Sequence, residues 1–286
     1  MSVNLSTKDF VLNAALPPAT ATYTVISHKF VMDTVEDQLQ LAGFEIEREM
    51  YKATTNGNVA TGILRLKEGS DQEMRMMFAW SNSYDKTMRF KCAIGGYLPQ
   101  SGSILVSGNM GNWGRRHTGT ADQETFATIQ HQISQAGTYY AQLIADKDAM
   151  KNIIVDERRR AEVLGILYFE HGLLGIGQTS IIKSELKRPS FNYTGDKDSL
   201  WALYCHIIYS LQKCHPKNWL DQQRLIHFFM CDIFDVNNAI IAPAQITALV
   251  QDPLQLDLED AIKDAERQAG SDYDVDKHQI QHKHGS

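Results

Sequence analysis

The spacing of apolar and polar positions changes period twice along the chain, from helical to strand after Gly43 and back to helical after Gly119, and the second change separates a sheet-forming half from a helical half. Over 29–41, Phe30, Val31, Thr34, Val35, Gln38 and Leu39 recur at helical spacing and Gly43 follows as a stop, which predicts an amphipathic helix. Three runs with strand character come next, 44–51, 59–66 and 73–80, separated by the turn formers Asn56-Gly57 and Gly69-Ser70. They predict an antiparallel meander, which the runs 87–94 and 103–107, parted by Gly95, Gly96 and Pro99, extend to five strands. After Gly119 the period becomes helical: Phe126, Ile129, Ile133, Tyr140, Leu143 and Ile144 share one face of a single long helix with Asp122 as its N-cap. Further helices are predicted over 155–170, 199–213 and 216–234.

The expected fold class is therefore α+β, an N-terminal antiparallel sheet backed by a long helix, followed by a mainly helical second half and an acidic tail. The expected divisions are a flexible arm over 1–24, where Pro17 and Pro18 stand among small residues, a sheet domain over 25–150, a helical region over 151–250 and a partly disordered tail over 251–286.

Composition sharpens this picture mainly through charge. With 43% apolar residues the chain has material for a packed core. The formal net charge of −6 hides an asymmetry: from Asp232 to Asp276 eleven acids face only Lys263 and Arg267, which leaves the rest of the chain at +3. Between Arg75 and Thr118 six bases (Arg75, Lys86, Arg89, Lys91, Arg115, Arg116) face one acid, Asp85. That segment can attract polyanions although the whole chain is acidic. No run approaches the ~18 apolar residues that cross a bilayer, and the first residues lack a basic flank and apolar stretch, so a cytoplasmic protein without a membrane partner is expected.

The basic segment supplies the candidate site. The stretch 107–119, Ser-Gly-Asn-Met-Gly-Asn-Trp-Gly-Arg-Arg-His-Thr-Gly, offers exposed amides, two guanidiniums and an indole to stack on a base. Alternation along 86–91 would turn Lys86, Met88 and Phe90 to one side and Thr87, Arg89 and Lys91 to the other, giving a cationic face beside that loop. The candidate contacts for single-stranded nucleic acid are Lys86, Arg89, Lys91, Trp113, Arg115, Arg116 and His117. The glycine pattern is neither a Walker loop nor a dinucleotide fingerprint.

Other candidates carry less. Arg158, Arg159 and Arg160 stand beside Asp156, Glu157 and Glu162, which local helix-surface pairing explains. The pairs Cys205-His206 and Cys214-His215, with His227 and Cys231 one helical turn apart, match no zinc-finger spacing, and His227 lies in an apolar run, so packing is the expected role. The four cysteines have no CxxC spacing and read as reduced thiols. No paired nucleophile and base is recognisable, and no cofactor or metal is called for. His278, His282 and His284 near the end are assigned no role.

The blocks Ser81-Asn-Ser-Tyr-Asp-Lys-Thr-Met-Arg-Phe90 and Gly108-Asn-Met-Gly-Asn-Trp-Gly-Arg-Arg-His-Thr-Gly119 resemble the phage/plasmid-like family called domain of unknown function 932. Pro189–Tyr193, Ser199–Tyr204 and His215–Trp219 are similar to that family's later blocks, so the likeness spans about 30–234. The chain departs from the family's pattern near 96–103, where Leu98-Pro99-Gln100-Ser101 stands in place of a cysteine-and-asparagine segment. The resemblance implies a phage or mobile-element setting and carries over no catalytic residue. The order helix, meander, long helix is also that of single-strand-annealing recombination proteins, a likeness of element order alone. The expected function is a phage-encoded, non-enzymatic DNA-associated protein that binds single strands in recombination or annealing, as a homo-oligomer. The alternative is a module that contacts a host protein and modulates host machinery or defence.

Overall fold

The computed structural model describes residues 4–18, 25–69, 71–85, 88, 90–106, 114–115, 121–214 and 216–236. Its elements run β1 (Asn4–Ser6), α1 (Lys8–Leu12), α2 (His28–Leu41), β2 (Ile46–Ala53), β3 (Val59–Leu66), β4 (Arg75–Ser83), β5 (Phe90–Leu98), β6 (Ser103–Val106), β7 (Gly114–Arg115), α3 (Ala121–Ser134), α4 (Ala136–Asn152), α5 (Glu157–Gly165), α6 (Ile176–Lys187), α7 (Leu200–Ser210) and α8 (Pro216–Ile233). A π-helical turn, Ile166–Glu170, continues α5. The expected α+β class and all five expected strands are present, and β1 and β7 extend the sheet to seven strands.

Local signals account for the sheet-side elements. Ser27 caps α2 by accepting a bond from the Phe30 amide at 2.9 Å. The helix ends where Gly43 takes φ +83°, with the Phe44 amide donating to Leu39 and the Gly43 amide to Gln40, a Schellman stop. Strands β1 to β6 pair antiparallel in sequence order. The β2–β3 turn closes with the Thr54 amide on the Val59 carbonyl, and Gly57 takes φ +72° there. Strand β5 is buried at all nine positions. Its inner edge pairs with β4, and its outer edge is shared by β6 against Gly95–Leu98 and β7 against Phe90 and Lys91.

Alternation assigns the two sheet faces. On one, Ile63, Met77, Ala79, Ala93, Tyr97, Ile104 and Val106 form a core with Trp219 and Leu220 of α8. The other carries Trp80 and Asn82, beside His28 of α2. Lys147 and Lys151 of α4 pair with Asp71 and Glu73 in the β3–β4 connection, and Tyr140 donates to the Met74 carbonyl at 2.5 Å. Burial alone would raise both acids. Their lysine partners, with the Met74 and Glu73 amides on Asp71 and Thr194 on Glu73, outweigh it and hold both carboxyls below their ordinary value.

Three expectations need correction. The first 24 residues are not all an arm: β1 adds main-chain bonds to β2, Thr7 caps α1, Val11 is fully buried and Lys8 pairs with Glu36 and Glu49. The single long helix is two, broken at Gln135, whose amide is shared between the His131 and Gln132 carbonyls. Its expected face holds at Ile129, Ile133, Tyr140 and Leu143 but not at Phe126, which is 40% exposed. The boundary at 150 is no domain boundary, because residues through Asn237 form one compact unit. The tail, 251–286, lies outside the described residues.

Ile129 is completely buried. Ile129→Ala should therefore lower unfolding free energy by about 2 to 5 kcal/mol, and Phe126→Ala by about 1 kcal/mol or less. Urea melts of the two variants check this ordering, and equal losses would contradict the face assignment.

Candidate nucleic-acid edge and buried polar centre

The residue before the basic glycine-rich segment and two residues within it pair with the outer edge of β5. Val106 of β6 pairs with Gly95, and Gly114 and Arg115 of β7 pair with Lys91 and Phe90. Between these pairings β5 has three residues, 92–94, and the chain has seven, 107–113. Of the expected contact residues, Lys86, Arg89, Trp113, Arg116 and His117 lie outside the described residues, and Arg115 is placed through its backbone alone.

Lys91 is not the solvent-facing cation that alternation suggested. It is 8% exposed and its ammonium pairs with the Asp221 carboxylate of α8. The physical reason is the helix laid over that face: what alternation placed away from Phe90 is a second buried side, not a wet one. The described strand is Phe90–Leu98, and of the expected run 87–94, Thr87 and Arg89 lie outside the described residues.

Lys91 belongs to a polar row. The register sets Lys52, Thr61, Ser81, Lys91 and Gly114 side by side across β2, β3, β4, β5 and β7, so the four side chains share a face. Lys52 lies 5.7 Å from the Trp219 ring, and Arg224 follows Asp221 along α8. Burial pushes the Arg224 guanidinium below its ordinary value, and the Asp221 carboxylate partly offsets this. Ser81 Oγ and the second Asp221 oxygen have no hydrogen-bond partner among the described residues. Two buried cations and one carboxylate thus meet where β7 joins β5.

Residues 81–84 are buried rather than on the surface. Asn82 donates to the Ile26 carbonyl at 2.8 Å and lies 3.0 Å from His28 Nδ1, while the other ring nitrogen is 3.0 Å from the Gly57 carbonyl. Tyr84 stacks on that imidazole at 3.9 Å and accepts the His28 amide. Leu98, Gln100 and Ser101 line a cleft of about 100 Å3 with Glu73, Phe191, Tyr193 and Trp201. Residues of the blocks 189–193 and 199–204 thus meet residues 98–101 at this cleft.

The Cys/His residues scatter, with one exception. Cys205 is buried beside that cleft, His206 packs between Phe191 and Tyr193, and Cys214 bonds Gln178 and Gln222. His215 lies outside the described residues. His227, however, is 2% exposed and presents Nε2 to Asp146 Oδ2 at 3.0 Å and to Cys231 Sγ at 3.5 Å, with Nδ1 2.9 Å from the Tyr204 hydroxyl. Burial would push this imidazole down; Cys231, Tyr204 and the Asp146 carboxylate outweigh it and hold it well above its usual range. Asp146, on α4, was invisible to sequence spacing because it lies 81 residues from His227. Of the three arginines, Arg159 pairs with Glu162 and Arg160 with Asp198.

No protein-family model, curated protein or solved structure matches the chain.

Removing one member of the buried Lys91–Asp221 pair leaves the other unpaired. Lys91→Ala should cost about 3 to 5 kcal/mol of stability, whereas Lys91→Met combined with Asp221→Leu should lose far less. Urea melts measure both, and an unchanged midpoint for Lys91→Ala would contradict the buried pairing.

Proposed function

We propose that the protein is a phage-encoded, non-enzymatic DNA-associated protein that binds single-stranded nucleic acid along the outer edge of β5, in recombination or annealing. The observation that carries this reading is the anchoring of the basic glycine-rich segment to that edge through β6 and β7. A fully buried strand joined to a segment whose sequence supplies amides, guanidiniums and an indole fits the needs of backbone tracking with base stacking. The phage setting is supported by the family likeness of 81–90 and 108–119. Trp113, Arg115, Arg116 and His117 are the contacts, with Lys86 and Arg89, which precede β5 in the sequence. Lys91 is withdrawn from the set because its charge is spent on Asp221.

A second reading, a protein-interaction module, draws support from Phe169 and Ile176, which stand 84% and 76% exposed around the π-helical turn and the start of α6. Among the described residues no helix is long and apolar enough to cross a membrane.

Salt dependence separates the two. Arg115→Ala with Arg116→Ala should weaken single-strand binding and shrink the slope of log affinity against log salt by about 1.4, at about 0.7 per phosphate contact. Trp113→Ala should cost about 1 to 3 kcal/mol of binding with the slope unchanged. Fluorescence-anisotropy titrations at several ionic strengths check both; no binding by the wild type at low salt would overturn the reading in favour of a protein partner.

A further inference from the structure

The His227 imidazole faces more partners than one proton can serve. Nε2 points at a carboxylate oxygen, Asp146 Oδ2 at 3.0 Å, and at a sulfur, Cys231 Sγ at 3.5 Å. A single N–H can be aimed well at only one of them. A cation in the same place satisfies all three, and the geometry is close to what that requires. Ligands about 2.0 to 2.3 Å from a zinc ion at tetrahedral angles stand about 3.3 to 3.6 Å from one another. The observed nitrogen–oxygen and nitrogen–sulfur separations lie within a few tenths of an ångström of these values, and the three donor atoms all fall within 4.8 Å of each other.

The surroundings match those of a ligand set. The Tyr204 hydroxyl sits 2.9 Å from Nδ1, where accepting its proton would fix the tautomer that leaves the Nε2 lone pair free. Gln142 donates to Asp146 Oδ1 at 2.8 Å, turning Oδ2 toward the ring. His227 and Cys231 are one helical turn apart on α8, so a single rigid element delivers two ligands and α4 the third. A thiolate, an imidazole and a carboxylate together select a borderline-soft ion over magnesium or calcium.

We propose that Asp146, His227 and Cys231 form a mononuclear site for a zinc-class divalent ion joining α4 to α8, with a fourth position open to water. The reading is independent of nucleic-acid binding.

Cobalt alone, titrated into the full-length protein freed of metal by a chelator, tests it, because a thiolate ligand gives a near-ultraviolet charge-transfer band that the terminal histidines cannot give. The expected result is a band that saturates at one equivalent and is bleached by zinc. Cys231→Ser should abolish it, Asp146→Asn should weaken cobalt affinity tenfold or more, and Cys214→Ser should leave it intact. Cys231 is only half-buried, so its serine variant is expected to keep the far-ultraviolet circular dichroism of the wild type. A wild type with no thiolate band overturns the proposal whatever the variants do, and so does a full band in Cys231→Ser.

Discussion

A lysine ammonium inside a strand that is covered on both faces and paired on both edges has to find a counter-charge, and this requirement organises the molecule. Lys91 finds Asp221, 130 residues further along the chain. The carboxylate can arrive only if α8 lies across the sheet with Trp219 and Leu220 already seated among Ile63, Met77, Ala79 and Ala93. Desolvating two charges roughly cancels their attraction, so the pair adds little net stability. It constrains position: a helix shifted by one residue would bury an unpaired ammonium.

That placement sets the rest of α8. Its later turns carry His227 into contact with Tyr204 of α7 and Asp146 of α4, so one helix is tied to the sheet at one end and to the helical half at the other. The residues through Asn237 accordingly form one compact unit. The outer edge of β5, where the basic segment leaves and re-enters the sheet, inherits its rigidity from this packing.

Period and punctuation made most elements readable from the residues alone. The strand 59–66 coincides with β3 and Gly43 ends α2, whereas Asp122, expected as an N-cap, lies in the first turn of α3. What escaped was what covers each face. Alternation put Lys91 opposite Phe90, but whether that side meets water or a helix is a tertiary fact held in residues 219–224. Asp146 looked like an ordinary polar position on a helix, and only the fold brings it to His227. The three-residue β1 has too few positions to show a period, and at Gln135 a helix breaks without a proline, while Gly137 two residues on lies inside α4. The candidate nucleic-acid contacts were legible as chemistry, and the pairing of β7 with β5 adds where that chemistry is attached.

Native-state hydrogen exchange tests the central claim, that α8 and the sheet are locked together through the buried Lys91–Asp221 pair. Amides of residues 220–226 of α8, 78–83 of β4 and 90–94 of β5 should exchange through the same global opening, with equal free energies that fall in parallel as denaturant rises. Exchange of the α8 amides through a smaller, separate opening while β4 and β5 stay protected would contradict it.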